Sequence, residues 1–311
     1  MREDSNAVML RGLFASPLMN RAVLAAAASY LIWGLFPIYW KSLAEVPVLQ
    51  IGAHRLVWCA VFVFGFLFAT AGGRWIPALF RQPRTLRLLL VSATLIGGNW
   101  WLYIWAVNAG HIVETSLGYF INPLVSVAMG VLVLEERLRP MQWCAVALAA
   151  AGVLYLTLEF GRLPWIALLL AFSFGGYGLC RKLAAVDPVQ GLAVENAVLL
   201  LPSLGIIGVA LAHGDNAFGE ISRSTDGLLV FSGIVTAVPL VLFAYGARRI
   251  PLSLVGLLQY IAPTLQLMCG VLIYGEAFTG VHAVGFACIW AALAIYASES
   301  LWWSRRKLAP A

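Results

Sequence analysis

SLGYFINPLVSVAMGVLVLEE at 116–136 and GLLQYIAPTLQLMCGVLIYGE at 256–276 carry one pattern at a constant offset of 140. Pro123 aligns with Pro263, Gly130 with Gly270 and Glu136 with Glu276, and the match extends over 116–156 and 256–296. Each copy lies on a long apolar run. A proline thirteen residues ahead of a glutamate puts a helix break near mid-membrane and a carboxylate at the edge, since a helix rises about 1.5 Å per residue. Interrupted hydrophobic segments in matching places of two repeats point to a transporter and its binding site.

In front of each half the offset becomes 141. Gly34 then faces Gly175, Lys41 faces Lys182, Pro47 faces Pro188, His54 faces Glu195 and Arg55 faces Asn196.

The surroundings are those of a lipid-embedded chain. Apolar residues make up 62% of the protein and charged residues 11%, against roughly 25% charged in a soluble domain. Ten segments reach the approximately 20 apolar residues a spanning helix needs: about 22–41, 49–71, 87–107, 112–134, 140–158, 164–180, 189–212, 227–247, 252–274 and 280–302. The expected fold is all-α, ten transmembrane helices as two inverted five-helix repeats. Its parts are a cytoplasmic tail at 1–21, treated as poorly ordered over 1–20, a first repeat at 22–158, a second at 164–302 and a tail at 303–311. The connections at 72–86 and 213–226 read as short and polar.

Lys and Arg are retained on the cytoplasmic side of membranes. Arg74, Arg81, Arg84, Arg87, Arg137, Arg139, Arg181, Lys182, Arg248 and Arg249 fall in alternate connections, on the same side as the cationic tails. Lys41, Arg162 and Arg223 fall on the other, and Arg55 alone lies within a span. Both termini are therefore predicted cytoplasmic. Five spans per repeat is odd, so the second copy enters upside down, with Glu136 inside and Glu276 outside. The net charge of +6 follows from inner-leaflet retention and implies no nucleic-acid partner. Cys59, Cys144, Cys180, Cys269 and Cys288 are scattered through apolar runs and read as small hydrophobes. No metal, nucleophile or phosphate-loop motif occurs, so neither cofactor nor metal is expected.

Proline leaves the carbonyl four residues earlier without its helical partner. Pro123 thus frees Tyr119, and Pro263 frees Gln259, near mid-bilayer, where a bare carbonyl must face protein, water or ligand. Thr115, Tyr119, Asn122 and Ser126 recur on one helical face, and Gln259, Ala262 and Gln266 form the equivalent stripe. Two such faces define a central cavity, or else ordinary interhelical hydrogen bonds. His54, Arg55 and Glu195 are ionisable within spans, which marks them as candidates: His54 and Glu195 for proton coupling, Arg55 for clamping a carboxylate or phosphate. Snorkelling is the competing account of Arg55. Asn99 and Asn108 bracket an aromatic run in the third span. Asn99 is assigned to the cavity, and Trp100, Trp101 and Trp105 to packing. Glu114 is expected to be solvated at the outer edge.

SYLIWGLFPIYWK, HRLVW, LIGGNWWLYIWAVNAGHIVETSLGYFINPL and QYIAPTLQLMCGVLIYGE resemble the RarD branch of the EamA family, within the drug/metabolite transporter superfamily. The resemblance covers about 22–300 and implies ten helices in two inverted halves that move small solutes. Glu135 departs from it, since the family usually has glycine before the glutamate.

The sequence reading is a secondary transporter of a small organic metabolite or drug, not an enzyme, working by alternating access, with coupling to protons left open. Asn99, Tyr119, Asn122, Gln259 and Arg55 are the substrate residues, His54 and Glu195 the proton residues, and Pro123 and Pro263 the helix breaks. The expected partners are a small-molecule substrate and the lipid bilayer, with protons and a homodimer left open. The alternative is a membrane-embedded protein that does not transport: a lipid-substrate enzyme, or an assembly or sensor factor.

Overall fold

Prolines and glycines punctuate the apolar runs and so set where each helix starts and stops. The computed structural model describes residues 17–109, 111–159, 161, 163–275 and 280–308. The helices are α1 (Pro17–Gly34), α2 (Phe36–Lys41), α3 (Val48–Ala71), α4 (Trp75–Phe80), α5 (Pro83–Asn108), α6 (Ile112–Val133), α7 (Pro140–Glu159), α8 (Trp165–Leu183), α9 (Pro188–His213), α10 (Arg223–Ala247), α11 (Leu252–Gln259), α12 (Ile261–Met268) and α13 (Gly280–Leu308). A π-helical turn, Cys269–Ile273, continues α12. No strand occurs among the described residues.

Proline fits the first turn of a helix, where its missing N–H has no partner to lose. Accordingly α1, α5, α7 and α9 begin on a proline, and α3, α8 and α11 directly after one. Asp187 caps α9 by accepting from the Val189 N–H at 2.9 Å, and Ser222 caps α10 by accepting from Thr225 at 3.1 Å. Seven described segments are long and apolar enough to cross a membrane, among them Met19–Lys41 and Leu252–Ile273, and shorter apolar stretches lie at Leu117–Val133 and Ala283–Glu299.

Two details differ from the sequence reading. α1 starts at Pro17, inside the segment read as an irregular tail, because the proline preorganises a first turn ahead of the apolar run. The 72–86 connection contains α4, which buries Leu79 while Arg74 and Phe80 stay exposed. Glu276, Arg162, most of the amino-terminal tail and the side chain of Asn108 lie outside the described residues.

Helix α3 packs against α9 and α10, α6 against α8 and α11, α5 against α8 and α9, α1 against α10 and α12, and α7 against α13. Two approaches are close enough to require glycine. A Cβ at Gly233 would stand 2.4 Å from the backbone carbon of Trp58, and one at Gly256 would stand 2.6 Å from the Pro123 carbonyl oxygen. Small residues at crossings let membrane helices approach closely.

Cross-links between connections define two ends of the bundle. At the upper end Gln50 bonds Asp215 and Ala217, the Glu114 carboxylate accepts from the Ile166 N–H, and Lys41 lies over the Tyr274 ring. At the lower end Arg139 pairs with Glu299 at 2.6 Å, Arg248 donates to the Val186 carbonyl, and Lys182 donates to the Ala247 and Ile250 carbonyls at 3.2 and 2.6 Å. Lys182 thereby satisfies an orphan carbonyl at the end of α10.

Candidate functional site

A cavity of about 350 Å³ lies between the halves, at the small end of the usual range for ligand pockets. Its polar lining comes from helices that approach from different directions, among them α3 with Arg55, α5 with Asn99 and Tyr103, α6 with Thr115, Tyr119 and Asn122, and the end of α11 with Gln259. Pro263 and Gln266 on α12 complete that wall, and Trp33, Phe36, Pro37 and Trp40 from α1 and α2 face it.

The repeated prolines act differently in the two copies. α6 runs unbroken through Pro123, whereas its counterpart stops at Gln259 and restarts at Ile261, with Tyr260 as the joint. The two elements cross at Gly256, and there Ser126 Oγ stands 3.4 Å from Gln259 Oε1 and Tyr260 Oη donates to the Phe120 carbonyl at 3.3 Å. The polar stripes of the two helices thus meet at the cavity wall.

Asn99 is tied down by its amide, which donates to the Leu170 carbonyl and to Ser173 Oγ, both at 2.8 Å. The Tyr103 and Tyr119 rings meet edge to face, with centroids 6.0 Å apart. Arg55 stacks on Trp100 with its guanidinium carbon 4.1 Å from the ring centroid, and lies 5.7 Å from that of Trp40. Trp100, which the sequence assigns to packing, therefore also belongs to the site. Three buried polar atoms on the lining have no hydrogen-bond partner: Asn122 Oδ1, Tyr30 Oη and Thr236 Oγ1. Buried polar groups normally find partners, so these three are open hydrogen-bonding positions of the lining. Thr236 escapes sequence reasoning because the stretch around it, 234–240, is otherwise apolar.

The candidates do not all converge. Arg55, Asn99, Tyr119, Asn122, Gln259 and Pro263 line the cavity; Pro123 backs it. His54 points the other way, stacked on Phe218 of the 214–222 connection at 5.3 Å, because neighbouring residues on a helix cannot share a face. Glu195 sits behind the cavity, beside a gap of about 10 Å³ that Ile96, Trp100 and Leu240 separate from the main chamber.

Glu195 is held by two partners, Ser92 Oγ at 2.5 Å and the Arg181 guanidinium at 3.3 Å. Arg181 is 1% exposed and also donates to the Pro188 carbonyl at 2.9 Å. This corrects its placement among the connecting cations: the last turn of α8 turns inward, and Gly191 makes room, since a Cβ there would stand 2.0 Å from the guanidinium. Glu114 is also corrected. It is 2% exposed, not solvated, and accepts from the Ile166 N–H at 2.8 Å at the start of α8, where carboxylates are stabilised. Glu136 does the same for α11, accepting from the N–H groups of Leu252 and Ser253 at 2.6 and 2.9 Å and from Ser253 Oγ at 2.7 Å.

The floor of the cavity is aromatic. Tyr30, Trp33, Phe174, Tyr177 and Phe243 pack with ring centroids 5.5–6.2 Å apart and fill the interior toward the lower end.

The model of the EamA-like transporter family matches residues 20–158 and again 163–298. Protein RarD of Streptomyces exfoliatus is 47% identical over 281 residues, covering 90% of this chain and 89% of its own. An uncharacterized transporter of Bacillus subtilis, YojE, is 45% identical over 92% of this chain and 96% of its own. Among solved structures, one titled only as the crystal structure of a protein superposes with a TM-score of 0.66 over 88% of this chain and 96% of its own, at 20% identity, which bears on the fold alone. The chain is a multi-pass membrane protein that belongs to the EamA-like transporter family, in its RarD branch.

Proposed function

We propose that this protein is a secondary transporter of the bacterial inner membrane that moves a small organic solute by alternating access between two inverted five-helix halves. The observation that carries the reading is the cavity, in which the equivalent segments of both copies, around Tyr119–Asn122 and Gln259–Ala262, contribute to one chamber.

The contact pattern supports the inverted repeat. Exchanging the halves turns the α6–α8 contact into α1–α12, α5–α8 into α1–α10, and α3–α10 into α5–α9, while α3–α9, α6–α11 and α7–α13 map onto themselves. All of these pairs occur, as a twofold axis in the membrane plane would produce. In this reading the lower end, which carries Arg137, Arg139, Lys182, Arg248 and Arg249, faces the cytoplasm with both termini. The aromatic floor and lower cross-links then close that side. Opening it requires the Glu136, Lys182 and Arg248 contacts to part.

Coupling to protons is the finer part of the proposal and rests on Glu195, whose partner Arg181 lies at the closed end. The test is solute counterflow in proteoliposomes. Wild type should exchange a solute that also raises its melting temperature, and Asn122→Ala and Gln259→Ala should each lower that flux at least tenfold while the protein stays folded. No counterflow for any solute that binds would defeat the transporter reading. An uncoupler that leaves concentrative uptake intact would defeat proton coupling alone.

A further inference from the structure

We infer that the cavity selects a singly charged organic carboxylate with a flat apolar body and one hydrogen-bond donor. The inference rests on the reading of this cavity as the substrate site and assigns that substrate's charge and shape.

Among the described residues Arg55 is the only cation on the lining, and no carboxylate among them lines the chamber with it. No ion pair or hydrogen bond holds its guanidinium among the described residues; it lies against the faces of Trp100 and Trp40. Stacking of this kind leaves the in-plane N–H groups free, and those form the fork that matches a carboxylate. A charge taken out of water needs a counter-charge. Here the ligand supplies it.

The single cation also limits the charge. A phosphate monoester carries about −1.5 to −2 at neutral pH and would bring uncompensated charge into the chamber. An amino acid would bring an ammonium group that meets no acidic side chain. The aromatic walls suit a flat apolar body, and of the three unpartnered atoms only Asn122 Oδ1 is limited to accepting and so calls for a donor, since the Tyr30 and Thr236 hydroxyls can donate or accept. The volume of about 350 Å³ restricts the body to a small molecule.

The experiment uses purified full-length protein in detergent and follows quenching of tryptophan fluorescence, with melting temperature as a second readout. The probes are a series of aryl and medium-chain carboxylates that includes 4-hydroxyphenylacetate, together with the isosteric primary amides, the corresponding amines, tyrosine and phenyl phosphate. At least one carboxylate should bind ten times or more tighter than its amide, amine, zwitterionic and phosphate counterparts. Arg55→Gln should abolish that preference, and Arg55→Lys should restore part of it, which separates charge recognition from failure to fold. Amides binding as well as acids, a preference that survives Arg55→Gln, or a series in which no carboxylate binds would each overturn the inference. Binding without counterflow in proteoliposomes would instead remove transport and leave the anion site standing. Counterflow of neutral solutes alone would do the reverse.

Discussion

At the scale of single residues, Glu135 is a position where the two copies of the repeated pattern differ and the backbone shows the consequence. Its φ is +54°, the left-handed region, and the equivalent residue in the second copy is Gly275 at +68°. A side chain there costs roughly 1–2 kcal/mol, part of which glycine gives back through its larger unfolded-state entropy. Glu135→Gly should therefore stabilise the protein by about 0.5–1 kcal/mol with flux unchanged, as read by thermal unfolding in detergent. A loss of stability would show that Glu135 makes a contact that outweighs its strain. The Arg181–Glu195 pair gives a second prediction. Removing one member of a buried pair strands the other charge at a cost of about 3–5 kcal/mol, whereas replacing both with apolar residues is often neutral. Glu195→Gln and Arg181→Met should each lower the melting temperature strongly, and the double variant should recover most of it. A double variant no better than the sum of the singles would mean that Ser92 and the Pro188 carbonyl, not the pair, hold this corner.

At the scale of elements, the informative contact is the crossing of α6 and α11. Alanine is a better helix former than glycine by roughly 0.5–1 kcal/mol, so on propensity alone Gly256→Ala would stabilise α11. The Pro123 carbonyl oxygen, 2.6 Å from the added methyl, makes the opposite prediction. Overpacking of this kind costs about 1–3 kcal/mol, and pushing α11 away from α6 would also separate Ser126 from Gln259. Gly256→Ala is therefore expected to lose both stability and flux, while alanine at Gly208, which has open space around it, should lose neither. Equal tolerance at both positions would show that the crossing is looser than its geometry indicates.

At the scale of the whole molecule, the two ends can be checked for sidedness. Cysteines placed at Asn216 and Ser42 should react with a membrane-impermeant thiol reagent from outside intact cells, and cysteines at Arg137 and Arg249 should react only after the membrane is opened. Labelling of all four from one side would break the correspondence between the upper end and the outer face.

Much of this was readable in the chain itself. The offset repeat, the long apolar runs and the distribution of lysine and arginine need only periodicity and composition, because a bilayer demands a minimum length and sorts cationic residues. The polar stripe Thr115, Tyr119, Asn122 and Ser126 could be read because helical spacing places those residues on one face. What could not be read was which face meets which. His54 and Arg55 are neighbours in sequence and part company in space, since a hundred-degree step along α3 sends one to the 214–222 connection and the other into the cavity. Arg181 reads as an interfacial cation and is instead buried on Glu195, because Gly191 on the neighbouring helix leaves the space. One-dimensional pattern thus determined that this is a helical membrane protein whose sequence pattern recurs at an offset of 140, with polar residues set into its apolar runs. Only tertiary packing decided which charges are spent on each other and which one, Arg55, is left facing the cavity.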